Sequence, residues 1–186
     1  ATVPVLWDKK TQTIVSNESA DILRMLNTAF EAFGPQGPNL YPADLAEDID
    51  TLNEVIYKNL NNGVYQAGFA SSQQAYEEAY DEVFLTLDEL EARLSDERSY
   101  LFGERLTETD VRLFVTLIRF DAAYHGLFKC NRNTLNTMPY LHAYMQRIHA
   151  IDGIAETVNI EHIKAGYYSI KALNPSGIVP VGPTVI

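Results

Sequence analysis

The sequence predicts a mostly helical α+β fold: a β-hairpin with one helix, then an all-helical region ending in an extended strap. Three observations predict it. Short apolar runs at residues 3–7 and 13–15 flank a polar turn. From residue 42 to 168, apolar residues recur at three- and four-residue steps, as in amphipathic helices. The tail, residues 172–183, is rich in proline and glycine, which disfavour helix and central strand.

The first two helices have clear start and stop signals. A helix is expected over residues 19–33, with Ser19 as its N-cap and the breaker run at 34–38 as its end. A long helix is expected over 42–60, stopped by Gly63. Residues 64–70 continue it as a short kinked piece.

The later helices are predicted by their caps and apolar faces. Ser72 begins a long helix, residues 138–141 open another whose inner face is Leu141, Tyr144, Met145 and Ile148, and residues 160–168 form a last short one. Thr107 and Asp110 have capping-box spacing, and Leu106 and Val111 sit where a hydrophobic staple would close. We therefore interpret Asp110 as a folding residue and not as a catalytic one.

Composition excludes several classes of function. The 186 residues carry a net charge of −11, which argues against nucleic acid or an anionic membrane as partner. No apolar run has the length of a membrane span, and no signal peptide is visible. One cysteine excludes internal disulfides, and the histidine spacing indicates no metal site.

A polar tetrapeptide, residues 16–19, leads into the first helix. First-turn amides of a helix have no internal partner, so they suit an anion, and Glu18 adds an acceptor for an ammonium. The pair Glu18 and Ser19 would suit the amine and carboxylate of an amino-acid end. The alternative is that Ser19 only caps the helix and Glu18 is a solvated charge.

Three segments carry tyrosines that could line a pocket: Tyr65, Tyr124, and Tyr167 with its neighbour Tyr168. A phenol combines an apolar ring with one donor and acceptor, which suits the grip of an aromatic diol. The alternative is that these tyrosines edge the core of a helical domain.

Together the motifs resemble the S-glutathionyl-hydroquinone reductases, the Xi class of glutathione transferases. The resemblance rests on Val3-Pro4-Val5-Leu6-Trp7-Asp8, Asn17-Glu18-Ser19, Asn62-Gly63-Val64-Tyr65, Gly68-Phe69-Ala70, Phe128-Lys129-Cys130-Asn131 and Asn174-Pro175-Ser176-Gly177-Ile178-Val179-Pro180. It implies that residues 1–34 are the C-terminal part of a thioredoxin-like, glutathione-binding domain. Residues 35–41 would be a linker, and 42–186 an all-helical substrate-binding domain.

The resemblance also implies roles for particular residues. The peptide before Pro4 is cis in the family, and the Val3 position pairs its backbone with the cysteinyl unit of glutathione. Glu18 and Ser19 hold the γ-glutamyl end. The three tyrosines that line the quinol pocket fall on Tyr65, Tyr124 and Tyr167, with Tyr168 as the alternative to Tyr167.

The reaction that the resemblance implies is a thiol exchange with glutathione that releases hydroquinone from S-glutathionyl-hydroquinone. Its nucleophile is a low-pKa cysteine in a Cys-Pro motif, which this sequence lacks and which we expect upstream. A lone hairpin is marginal by itself, which agrees with that expectation. The remaining cysteine, Cys130, has no helix N-terminus signal, so we reject it as the nucleophile.

Two other functions remain open. Without the thiol, the chain could be a truncated, non-catalytic module that binds glutathione conjugates, or an all-helical interaction domain with a vestigial pocket. The expected partners are glutathione, glutathionylated hydroquinones and a second copy in a homodimer. A cytoplasmic location is expected, although an upstream targeting segment stays open.

Overall fold

The computed structural model describes residues 3–34 and 37–183. Its strands and helices, in chain order, are β1 (Leu6–Asp8), β2 (Thr13–Ser16), α1 (Ser19–Thr28), α2 (Ala46–Val55), α3 (Gly63–Gly68), α4 (Gln73–Leu94), α5 (Glu108–Arg119), α6 (Pro139–His149) and α7 (Ile160–Tyr168). The predicted fold class is confirmed: a hairpin with one helix precedes a helical region.

The hairpin is antiparallel, and its turn is held by Asp8, whose Oδ1 accepts the Lys10 amide at 2.7 Å. A register shift, or bulge, lies between Leu6 and Trp7. The Val3–Pro4 peptide is cis, as the resemblance implied. β1 is shorter than the expected strand over residues 3–7.

The prediction that Ser19 caps α1 is wrong. Glu18 occupies the N-cap position with extended backbone, Ser19 is the first helical residue, and no side chain accepts a cap hydrogen bond. The Ser16 hydroxyl accepts the Glu18 amide at 3.1 Å, which turns the chain one residue earlier than expected. Ser19 therefore contributes no cap bond to α1.

α1 is also shorter than the expected helix over residues 19–33. It ends at Thr28, and a single 3₁₀ turn follows at Glu31–Phe33. Phe33 is 85% exposed, so the last turn lacks the packing from which most helices in proteins gain stability. Pro35 and Gln36 of the predicted breaker run lie outside the described residues.

Gly63 does not stop a helix, contrary to prediction. α2 passes into a wider π-helical turn, Ile56–Asn61, in which the Asn62 amide donates to the Tyr57 carbonyl at 2.8 Å. α3 then begins at Gly63. A Cβ at this position would lie 3.1 Å from Val83 Cγ2 on α4, so the glycine permits close helix packing and does not terminate the helix.

The caps predicted for α4 and α5 are confirmed. Ser72 caps α4, with its hydroxyl accepting the Ala75 amide at 3.2 Å. Thr107 and Asp110 form the capping box of α5. Asp110 is fully buried, and its carboxylate accepts further hydrogen bonds from the Leu101 amide and the Tyr144 hydroxyl.

The remaining helices follow the predicted pattern. α6 begins at Pro139, and its predicted inner face is buried: Leu141, Tyr144, Met145 and Ile148. α7 spans the predicted residues. After it, residues 172–183 form neither helix nor strand, and the Lys164 ammonium donates to the Val181 carbonyl at 2.7 Å, which ties this strap to α7.

A buried carboxylate joins α1 to the helical region. Glu108, 1% exposed at the start of α5, accepts hydrogen bonds from Arg24 of α1 at 3.0 Å, from Asn53 of α2 at 2.8 Å and from Arg112 at 3.2 Å. A buried charge needs such partners to be tolerated. This cluster fixes where α1 lies relative to the start of α5.

Candidate functional site

A cleft of about 1100 Å³ lies between α1 and the helices α2, α3, α5 and α7. All six residues predicted for the site border it: Val3, Glu18, Ser19, Tyr65, Tyr124 and Tyr167. Its volume is slightly above the range of about 300–1,000 Å³ that is usual for ligand sites. The cleft has a polar end at α1 and a phenolic end at the tyrosines.

The polar end combines the start of α1 with charged side chains. Ser19, Ala20 and Asp21 provide the first-turn amides, which have no acceptor within the helix and carry its positive dipole end. Glu18 borders the same end. The arrangement can receive a carboxylate at the amides and an ammonium at the Glu18 side chain.

The three tyrosine hydroxyls meet at the phenolic end. The Tyr167 hydroxyl lies 2.6 Å from that of Tyr65 and 2.8 Å from that of Tyr124, so it is shared between the other two. Tyr124 is 3% exposed and Tyr65 37%. The cluster therefore runs from a buried phenol, through Tyr167, to one that reaches solvent.

Burial keeps the phenols of Tyr124 and Tyr167 neutral. Removal from water raises the pKa of Tyr124 well above its usual range, and burial likewise raises the pKa of Tyr167. Because both stay protonated at neutral pH, the cluster can donate hydrogen bonds to a ligand oxygen.

Local sequence explains why the rings converge. Gly68 lets the Phe128 ring approach α3, since a Cβ there would lie 2.4 Å from Phe128 Cγ. The Phe128 ring in turn stacks on Tyr124 at 5.4 Å and meets Tyr65 edge-on at 5.1 Å. Glycine at 68 is thus a requirement of the pocket wall.

A π-helical turn, which is wider than an α-helical one, lies close to Tyr65 and another lies at Tyr124. The π-helical turn Ile56–Asn61 precedes Tyr65, and a second one, Phe120–Tyr124, contains Tyr124. In the second turn the His125 amide donates to the Phe120 carbonyl at 2.8 Å. π-turns often occur at functional sites, because they re-aim the side chains that follow.

Tyr167 borders the cleft and Tyr168 does not. The Tyr168 hydroxyl lies against Gly126, where an added Cβ would be only 2.7 Å from it. This geometry favours Tyr167 over its neighbour as the pocket residue.

Cys130 is buried away from the cleft, and burial raises the pKa of its thiol to about 12. Nucleophilic attack requires thiolate, so this cysteine is unsuited to it. Among the described residues, no group of three or more histidine, cysteine or acidic side chains could hold a metal ion. In the same part of the chain no helix has the length and apolarity needed to cross a membrane.

Two arginines of α5 border the cleft but were not among the predicted site residues. Arg112 and Arg119 lie seven positions apart, so they share one face of the helix. Basic residues at that spacing in an acidic chain are a signal that sequence reasoning could have used. Asn61 and Tyr57 also border the cleft, and only the fold brings them there.

Comparison with known proteins defines the class. The glutathione S-transferase C-terminal domain family matches residues 73–147. The glutathione-bound structure of YqjG, a glutathione transferase homologue from Escherichia coli K-12, superposes with a TM-score of 0.96 at 50% identity, covering 100% of this chain and 60% of that one. The Xi glutathione transferase of Phanerochaete chrysosporium gives 0.95 at 48% identity, covering 98% and 60%. The fold is that of a glutathione transferase over part of its length.

Curated relatives narrow this class. The chain is 52% identical over 183 residues to the glutathionyl-hydroquinone reductase YqjG of Escherichia coli, covering 98% of this chain and 56% of the relative. It is 49% identical to the glutathionyl-hydroquinone reductase PcpF of Sphingobium chlorophenolicum, covering 98% and 58%. The chain is thus a homologue of the glutathionyl-hydroquinone reductases, or Xi-class glutathione transferases. It spans less than two thirds of the length of these relatives.

Proposed function

We propose that the protein acts in the glutathione-dependent reduction of S-glutathionyl-hydroquinones to hydroquinones. The observation that carries the proposal is the meeting of three tyrosine hydroxyls, at 2.6 and 2.8 Å, in a cleft that also receives the N-terminal end of α1. One end suits the amino-acid part of glutathione, and the other suits the oxygens of a quinol. The homology to glutathionyl-hydroquinone reductases supports the same pairing.

In the proposed reaction, a cysteine thiolate attacks the sulfur of the conjugate. The carbon–sulfur bond breaks, its electron pair and a proton go to the ring carbon, and a cysteine–glutathione disulfide forms. A second glutathione then releases oxidised glutathione. Because Cys130 is buried with a raised pKa, we assign the attack to a Cys-Pro cysteine outside this sequence.

The residues of this chain have binding roles in the proposal. Glu18 and Ser19 hold the γ-glutamyl end, Ser19 through both its hydroxyl and its backbone amide, and the Val3 backbone holds the cysteinyl unit. Tyr65, Tyr124 and Tyr167 hold the quinol oxygens and stabilise the charge that develops there as the bond breaks. We also propose the domain limits 1–34, 35–41 and 42–186, a homodimer and a cytoplasmic location.

The test uses the polypeptide with its upstream Cys-Pro segment, glutathione and a glutathionylated hydroquinone. Chromatography measures release of hydroquinone and of oxidised glutathione in equal amounts. Tyr65→Phe should lower kcat/KM at least about tenfold, because the transition state loses one charge-assisted hydrogen bond. Tyr140→Phe, on the exposed side of α6, is the matched control and should not change it. Absence of hydroquinone release would overturn the proposal.

A second candidate function is binding without turnover. Cys130 is the only thiol of this sequence, and it is buried. This favours binding without turnover for the 186-residue chain by itself. Calorimetry of that chain with a glutathionylated hydroquinone, together with a product assay, separates the two. Binding with no released hydroquinone supports the module, and absence of binding excludes it.

A further inference from the structure

A second cavity, of about 590 Å³, adjoins the phenolic end of the cleft. The two cavities share four residues in their walls: Tyr65, Val115, Arg119 and Tyr167. The hydrogen-bonded pair Tyr65–Tyr167 therefore stands at their boundary. A ligand in the cleft whose oxygen binds these hydroxyls can therefore extend a substituent of its ring into the second cavity.

The charges around the two cavities differ. The cleft is bordered by carboxylates of Glu18, Asp21, Asp50 and Glu54. The second cavity has no aspartate or glutamate among its described lining residues, and its basic groups are Arg119 and His162. The chain as a whole has a net charge of −11, so a wall whose ionisable acid–base side chains include basic ones but no carboxylate makes a local site for an anion.

Arg119 has unused donors. Its Nη1 donates to the Val115 carbonyl at 2.6 Å, and no carboxylate among the described residues lies within salt-bridge distance of it. Five other arginines of the described chain are paired with carboxylates: Arg24, Arg98, Arg105, Arg112 and Arg132. A guanidinium with free N–H groups is shaped for two-point binding of a carboxylate.

The remaining wall suits an aromatic ring. Phe114, Ile118 and Ile163 provide apolar surface in the wall that also contains the phenols and the arginine. The cavity thus combines apolar contact surface with phenolic donors and a cation. These features complement a benzene ring that carries both a hydroxyl and an acid group.

We propose that the second cavity takes the acidic end of an aromatic ligand, with Arg119 as the residue that favours quinols bearing a carboxylate over neutral ones. The inference deepens the proposed function and rests on it, because it names which quinols the site prefers. Arg119 acts here as a specificity-determining residue and takes no part in bond breaking.

The test measures binding to the 186-residue chain by calorimetry with two probes, hydroquinone and 2,5-dihydroxybenzoate, which differ by one carboxylate. The acid should bind at least about tenfold more tightly than hydroquinone, and the preference should fall as salt is raised. Arg119→Gln should weaken acid binding about tenfold more than hydroquinone binding, and Arg119→Lys should retain part of the preference. Arg147→Gln is the matched control, since this exposed arginine also donates to a backbone carbonyl, away from both cavities.

The inference is overturned if both probes bind alike, if neither binds, or if Arg119→Gln weakens both equally. Melting temperatures of the variants check that each one folds. The proposed function fails by a separate result, absence of hydroquinone release from a neutral glutathionylated hydroquinone. A protein that turns over neutral conjugates but shows no acid preference would keep the function and remove this inference.

Discussion

The shared hydroxyl of Tyr167 allows a prediction in which a double variant is more stable than one of its single variants. In Tyr167→Phe, both hydrogen bonds of the cluster are lost, and the Tyr124 hydroxyl, on a side chain 3% exposed, keeps no partner among the described residues. In Tyr124→Phe, the Tyr167 hydroxyl still has Tyr65 as its partner. Each single change therefore removes one hydroxyl group. Tyr167→Phe leaves the buried Tyr124 hydroxyl without its partner, whereas Tyr124→Phe leaves the Tyr167 hydroxyl bonded to Tyr65.

The magnitudes follow from the cost of an unpaired buried group. A buried donor left without a partner costs about 1–3 kcal/mol, whereas replacing both partners by apolar groups is nearly neutral. We expect Tyr167→Phe to lower the free energy of unfolding by about 2–3 kcal/mol and Tyr124→Phe by about 1 kcal/mol. The double variant should lose only about 1 kcal/mol, because no buried hydroxyl remains unpaired. Tyr65→Phe, with its ring 37% exposed, should lose under about 0.5 kcal/mol.

Urea unfolding followed by circular dichroism measures these differences by linear extrapolation. Tyr140→Phe, whose side chain is 42% exposed on α6, is the control and should stay within about 0.5 kcal/mol of the parent. If Tyr167→Phe costs no more than Tyr124→Phe, water has replaced the lost partner. If the double variant equals the sum of the singles, the hydroxyls do not interact. Either result would contradict the hydrogen-bond sharing by Tyr167.

Three further predictions concern single residues. Asp110→Ala should lower the free energy of unfolding by about 3–5 kcal/mol in urea, because buried donors of Thr107, Leu101 and Tyr144 lose their acceptor; a loss below about 1 kcal/mol would contradict the capping-box role. Ser19→Ala should change stability by under about 0.5 kcal/mol, since the side chain makes no cap bond, and weaken glutathione binding in calorimetry. Unchanged binding would remove Ser19 from the site. Cys130, with its pKa raised to about 12, should react with iodoacetamide at pH 8 roughly a thousandfold more slowly than in urea, and equal rates would contradict its burial.

The structure bears out those parts of the fold that depend on local signals. Ser72 caps α4 and the capping box begins α5 where the sequence predicts, because each signal needs only residues within one turn. Residues 160–168 likewise match α7. These elements could be predicted because their stabilising contacts are near in sequence.

Two of the departures from prediction, at Ser19 and at Gly63, have a common cause. Ser19 has the side chain of a good cap, but a competing bond between Ser16 and the Glu18 amide moves the helix start. Gly63 looks like a helix stop in the sequence. In the structure its lack of a side chain instead lets Val83 of α4 pack close to the backbone. In both places a contact that propensity does not include decides the outcome.

The candidate site was predictable only through resemblance. Eleven tyrosines allow many groupings, and spacing alone does not select Tyr65, Tyr124 and Tyr167. The second cavity and the place of Arg119 in its wall depend on how α5 and α7 lie together, which no local pattern specifies. The prediction of the site residues themselves stays a prediction until variants are assayed.

Helix α5 links the two ends of the cleft. At its start, the Asp110 capping box fixes the backbone from which Glu108 binds Arg24 of α1, and so positions the polar end. At its other end, the π-turn sets the direction of Tyr124. From Glu108 to Arg119 α5 advances roughly 17 Å at helical rise, and the π-turn continues the chain to Tyr124. Because one rigid element spans that distance, the separation between the two ends is set by the length of α5, and a substitution at its cap should affect ligand affinity as well as stability.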